Sequence, residues 1–156
     1  MKNILFVYGC GGHKSQALRL QKLLSDKNEG AVFFTITDEG KVPEWSSGHL
    51  ELGELRDKYT GKILPLKILL ANILAINEFL KKNRIKNIIS LGPGVCIPTC
   101  IIGKLRGCVL IHIETWSKFE TLTYTTKIMK LITKNILYQN EELKKLLPKA
   151  KYVGRL

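Results

Sequence analysis

Apolar positions along this chain follow two rhythms. Residues 1–8 (MKNILFVY) end in an apolar, β-branched run stopped by glycine, the pattern of a strand buried on both faces of a parallel sheet. Between residues 14 and 27 the rhythm becomes helical: Ala17, Leu20, Leu23 and Leu24 recur at helix spacing, leaving Lys14, Arg19 and Lys22 for solvent. Asn28-Glu29-Gly30 breaks that helix, and residues 31–37 (AVFFTIT) return to a strand. Strand, helix and strand with short joins make a parallel βαβ unit.

Residues 38–62 are polar, carry Pro43, Gly48, Gly53 and Gly61, and read as a long, partly mobile loop. From residue 63 the segment ILPLKILLANILAINEFLKKN holds Leu66, Leu69, Leu70, Ile73, Leu74, Ile76 and Leu80, a stripe wider than one core contact requires. Pro65, Lys67, Asn72, Asn77 and Glu78 argue against a membrane span. Two roles fit the stripe, a core helix or an interfacial one. Further on, strands at 87–91, 109–114 and 135–138 alternate with helices at 95–106, 122–133 and 140–147, and residues 151–153 suit an edge strand. For the helix at 140–147, Asn140 is the expected cap and Pro148 the stop. The alternation predicts an α/β fold with a Rossmann-like open parallel sheet, and residues 1–156 suffice for one domain.

Charge narrows the partners. Lys and Arg outnumber Asp and Glu by 25 to 13, so the chain favours an anionic partner: a membrane surface, a pyrophosphate or a nucleic acid. The basic residues are scattered and not interleaved with aromatics, which disfavours nucleic acid. The segment MKNILFVYG offers too short an apolar core for a secretory signal, so the four cysteines fit a reducing cytosol. With no Cys-x-x-Cys pair, and with Cys96 and Cys100 on one face of a core-like segment, buried packing is the preferred reading over metal ligation. No metal and no cofactor is expected.

In a doubly wound sheet, ligands gather beyond the carboxyl ends of the strands, where helix N-termini present N–H groups to an anion. Three stretches fall there. Gly9, Gly11 and Gly12 with His13 form a glycine loop that lets the backbone approach phosphate oxygens. It is not a Walker loop, because His13 replaces the glycine before Lys14 and the spacer is one residue short, and G-x-G-x-x-G breaks at Lys14. At a helix start the His13 imidazole should stay neutral, as an acceptor or weak base. Gly92, Pro93 and Gly94 form a second turn, which should expose the N–H groups of Val95 and Cys96. Glu114 ends an apolar strand, where it could act as a general base, pair with Lys118, or cap the next helix.

VYGCGGHKSQALRL, SLGPGVCIPTCIIGKLRG, HIETWSKFETLT and NEELKKLLPKAKYVGRL follow in that order over nearly the whole chain. Together they resemble the family of the membrane-anchoring subunit of the eukaryotic split dolichyl-pyrophosphate N-acetylglucosamine transferase, with its bacterial PssD and CpsF-type capsule and exopolysaccharide counterparts. The resemblance implies the N-terminal half of a GT-B glycosyltransferase, binding a lipid-pyrophosphate-linked acceptor and recruiting a small nucleotide-sugar-binding subunit. It implies inverting transfer from a UDP-sugar in polysaccharide or glycan biosynthesis, with His13 or Glu114 as base. Acceptor-phosphate contacts would come from the two glycine turns, Val95, Thr115 and Lys118, and membrane contacts from Leu69, Ile73 and Leu80. Family members often carry Glu-Ser followed by arginine where this chain has Thr115 and Lys118, which replaces a bidentate clamp by a point charge. Without the eukaryotic anchor, attachment would be peripheral, on the cytoplasmic face of the cell membrane. Two other functions fit the sequence: a non-catalytic scaffold for the partner, and a stand-alone nucleotide-binding α/β enzyme.

Overall fold

The computed structural model describes residues 2–38, 40–52 and 65–156. The elements are β1 (Asn3–Tyr8), α1 (Gly12–Lys27), β2 (Val32–Thr37), β3 (His49–Glu51), α2 (Leu66–Lys82), β4 (Asn87–Leu91), α3 (Cys96–Leu105), β5 (Val109–Ile113), α4 (Tyr124–Ile132), β6 (Ile136–Tyr138), a 3-10 turn (Glu141–Lys145) and β7 (Lys151–Tyr152). The seven strands among the described residues are all parallel, in the order β3-β2-β1-β4-β5-β6-β7. The predicted open parallel α/β sheet is therefore present.

Alternation along β1 builds two cores. Leu5 and Val7 join Ile76, Leu80, Cys96, Cys100 and Met129 on the side covered by α2, α3 and α4. Ile4, Phe6 and Tyr8 join Ala17, with Leu20 and Leu24 half-buried, under α1. This period-2 division is what a strand buried on both faces requires. Leu80 is 1% exposed, so its role is core packing, and truncation to alanine would cost about 2–5 kcal/mol. It corrects the expectation that Leu80 contacts a membrane; Leu69 is half-buried and Ile73 exposed.

Two further expectations change. The loop expected at 38–62 is partly built: β3 pairs with β2, and Trp45 packs edge-on against Phe6 and Phe33 at 5.4 and 6.4 Å. Its remainder, 53–62, lies outside the described residues. The predicted helix at 140–147 is a 3-10 turn over Glu141–Lys145 without a side-chain cap. Asn140 instead spends its amide on the carbonyls of Trp116 and Lys118.

Candidate active site

Strand order reverses between β1 and β4, and Tyr8 lies opposite Leu91, so the glycine turn after each strand opens beside the other. That is the switch point at which open α/β sheets bind ligands. The turns are in contact: a Cβ on Gly9 would fall 2.4 Å from Pro93 Cγ. Gly11, at φ 67°, leads into α1, whose first turn has no side-chain cap. The Cys10 N–H is already taken, donating to the Asp38 carboxylate at 3.0 Å. The second turn is less open than expected, since Cys96 N–H closes onto Pro93 O and Ile97 N–H onto Gly94 O.

His13 projects from the start of α1 onto Gly92. A Cβ there would lie 2.2 Å from ring atoms Nδ1 and Cε1, and Gly92 has a φ of 110° that favours glycine independently. Nδ1 is buried without a hydrogen-bond partner. Burial pushes the imidazole below its ordinary range, while the nearby carboxylates of Glu114 and Asp38 pull the other way. The direction of that shift is the one expected for His13, with burial as its leading cause in place of the helix end.

Glu114, 1% exposed, uses both oxygens: Oε1 accepts from Thr115 N–H at 2.8 Å, and Oε2 from Thr123 N–H at 2.9 Å and Thr123 Oγ1 at 3.1 Å. Thr123 in turn caps α4 by accepting from Thr126 N–H at 3.1 Å. Of the structural roles left open by the sequence, tying down the next helix is the one seen. Behind it runs a buried polar chain. Thr126 Oγ1 lies 3.0 Å from Thr123 Oγ1 and 2.6 Å from His112 Nε2, and His112 Nδ1 lies 2.9 Å from Ser90 Oγ. Burial, then the neighbouring His13, holds His112 down to about 4. Gln16, one turn after His13, reaches Thr115 Oγ1 at 3.5 Å.

A second layer ties the loop between β5 and α4 to residues 155 and 156. Gln139 donates to Glu114 O and accepts from Leu156 N–H, while Arg155 Nε donates to Asn140 Oδ1. Arg19 lies 4.9 Å over Trp116, and Arg155 5.2 Å over Phe119.

Gly9, Gly11, Gly12, His13, Gly92, Pro93, Gly94, Val95, Glu114 and Thr115 therefore gather at the ends of three adjacent strands. Lys118 lies on the same loop, half-buried. Asp38, Gln16, His112, Ser90, Thr123 and Thr126 were missed as site residues. His112 and Ser90 gave a signal, each as a polar residue within an apolar strand. Among the described residues no cluster of three or more His, Cys, Asp or Glu side chains could hold a metal ion. Cys96 is buried, bonds to Val7 O and has its thiol pushed up to about 12 by burial. Cys100 and Cys108 are buried too, whereas Cys10 is exposed.

Residues 4–156 match the family described as "Oligosaccharide biosynthesis protein Alg14 like". The human UDP-N-acetylglucosamine transferase subunit ALG14 is 25% identical over 178 residues, covering 99% of this chain and 82% of the human protein. Its rat counterpart is 26% identical over 98% of this chain and 82% of its own length. MurG of Acinetobacter baumannii superposes with a TM-score of 0.68 at 15% identity, over 89% of this chain and 41% of MurG. The UDP-GlcNAc 2-epimerase of Methanocaldococcus jannaschii gives 0.71 at 12%, over 98% and 45%. This chain thus has the α/β fold found in GT-B glycosyltransferases and these epimerases, and spans less than half the length of the solved proteins it matches.

Proposed function

The chain belongs to the Alg14-like family of oligosaccharide biosynthesis proteins, and on that premise we propose that it is the acceptor-binding subunit of a two-chain glycosyltransferase. A separate, smaller subunit brings the UDP-sugar. The reaction is inverting transfer to a hydroxyl of a saccharide carried on a polyprenyl pyrophosphate, at the cytoplasmic face of the cell membrane. The observation that carries this reading is the meeting of two glycine turns at the switch point, with the half-buried ring of His13 from the first laid against Gly92 of the second.

His13 is the better-supported base. Glu114 has both oxygens engaged, whereas the half-buried imidazole is held below its ordinary range by burial and is assigned the proton of the acceptor hydroxyl. As the hydroxyl oxygen forms its bond to the sugar C1, UDP leaves with the bonding pair and the proton passes to His13. The carboxylates of Glu114 and Asp38 stabilise the imidazolium so formed. They also repel a second anion at the ring, so the acceptor pyrophosphate is assigned to the N–H groups of Gly11 and Gly12, with Thr115 and Lys118 completing the contact. The turn from Gly92 to Val95 shapes the wall beside it. Leu66, Leu70, Ile73 and Leu74, exposed on α2, rest against the membrane. Among the described residues no helix is long and apolar enough to cross it.

Transfer is measured with UDP-sugar and a polyprenyl-pyrophosphate acceptor, with and without the partner encoded beside this chain. The complex should turn over and the single chain should not. His13→Ala should lower kcat roughly 100- to 10,000-fold with the complex intact. Robust transfer by this chain alone would overturn the split-enzyme reading. The full hydrogen bonding of Glu114 favours a second reading, a scaffold for a partner holding all the catalytic groups, and unchanged turnover of His13→Ala in an intact complex would select it.

A further inference from the structure

Away from the glycine turns, where α3 and α4 end, two adjoining hollows of about 490 and 620 Å3 share Lys130, Thr133 and Lys134. Lys104 lines one and Lys149 the other, and among the described residues lining them there is no carboxylate. On the lip stands Leu131, 88% exposed, with Leu105, 82% exposed, near Lys104 at the end of α3. Two leucines exposed to that extent on one groove are an apolar feature of the kind that marks an interaction site.

The outward sides of α2, α3 and α4 line up as one layer, because these helices pack on the same side of the sheet. Leu66, Leu70 and Leu74 on α2, Ile101 and Leu105 on α3, and Tyr124 and Leu131 on α4 are all exposed. The three helices carry Lys67, Lys81, Lys82, Lys104, Lys127 and Lys130 against a single carboxylate, Glu78. Apolar knobs surrounded by cations, with one opposing charge, suit a surface that is apolar inside and anionic at its rim. A leaflet containing anionic phospholipid is such a surface.

We propose that the groove between the ends of α3 and α4 is an anionic-phospholipid headgroup site. Lys130 and Lys134 take the headgroup phosphate, with Lys104 and Lys149 flanking, while Leu105 and Leu131 enter the acyl boundary. The protein then lies with its whole α2–α3–α4 layer on the membrane. This rests on the membrane reading above and extends it from one helix to a layer with a built binding point. Three of these lysines also lie at or just beyond helix ends, where they complement the helix dipole, so stability must be measured beside binding.

The test is co-flotation of the full chain with vesicles of phosphatidylcholine alone and of phosphatidylcholine mixed with phosphatidylglycerol. Wild type should prefer the anionic vesicles. K130Q/K134Q should lose roughly 30-fold in partitioning to them. A charge-matched control on α1, K22Q/K27Q, should lose less than about 3-fold, since those charges lie on the other side of the sheet and are screened. L105S/L131S should weaken binding to both vesicle types. Inorganic phosphate at constant ionic strength should not release the protein. Equal losses for the two lysine pairs, release by phosphate, or an effect of K130Q/K134Q on melting but not on flotation would each overturn the headgroup site. Failure of wild type to float with either vesicle would overturn the membrane reading itself, and this inference with it.

Discussion

The glycine turn after β1 and the one after β4 are built from similar residues and follow similar strands, yet they are finished differently. The first leads into an uncapped helix, and one of its N–H groups is held by Asp38. The second closes on itself through Cys96 and Ile97 N–H, and the ring of His13 lies across its first glycine. On the proposed function, the first turn would supply groups to a ligand, and the second a fitted wall. Similar composition led to the same expectation for both, and the difference arises from local closure of the second turn together with two tertiary contacts, Asp38 on Cys10 and His13 on Gly92.

The largest test of this contrast is Gly92→Ala. The added Cβ meets the His13 ring and the backbone sits at positive φ, so unfolding free energy should fall by about 3 kcal/mol or more in denaturant titration. Adding His13→Gly should restore the steric part only, which a double-mutant cycle resolves. A loss under about 0.5 kcal/mol would mean that His13 does not rest on this turn.

An effect of similar or smaller size comes from the polar chain behind the turns. His112 is held at about 4 when folded against an ordinary value of 6.5. A depressed value stabilises the folded state above the unfolded pKa, and that stability is lost as pH falls through the folded value. Stability should therefore decline between about pH 6.5 and 4 by on the order of 3 kcal/mol, with His13 adding in the same direction. His112→Gln should flatten most of that slope, whatever it does to stability at neutral pH. A slope unchanged by the substitution would place the acid sensitivity elsewhere.

The smallest effect belongs to Gly94, whose added Cβ would meet nothing within 4 Å. Gly94→Ala should lie between no change and a gain of about 0.5 kcal/mol, so a large loss would show that the two glycines of this turn were not correctly told apart.

The parallel sheet and its helices were legible because strands buried on both faces make long apolar runs, as in residues 4–8 and 88–91. β3 was not, because a three-residue edge strand held by its pairing with β2 leaves no periodicity. The 3-10 turn at Glu141–Lys145 was read as a helix because its charges suit either, and Asn140 was diverted from capping by two carbonyls far away in sequence. Leu80 and Leu74 look alike on the stripe, yet one is buried and the other exposed; only the placement of α2 on the sheet separates them. At the candidate site, the glycines and His13 announced themselves through composition. Asp38 and Thr123 could not, since each matters through hydrogen bonds whose partners are set by the tertiary fold.

β1 is the first strand of the chain and lies inside the sheet. Its β2 edge is matched early, but its other edge waits for β4, with Ile4 opposite Asn87. During synthesis, a strand as apolar as Ile4–Tyr8 stays open on that edge until β4 has emerged. Nascent chains of this protein should therefore depend on chaperones for longer than their modest size suggests, and a ribosome stalled before β4 should release an aggregating product.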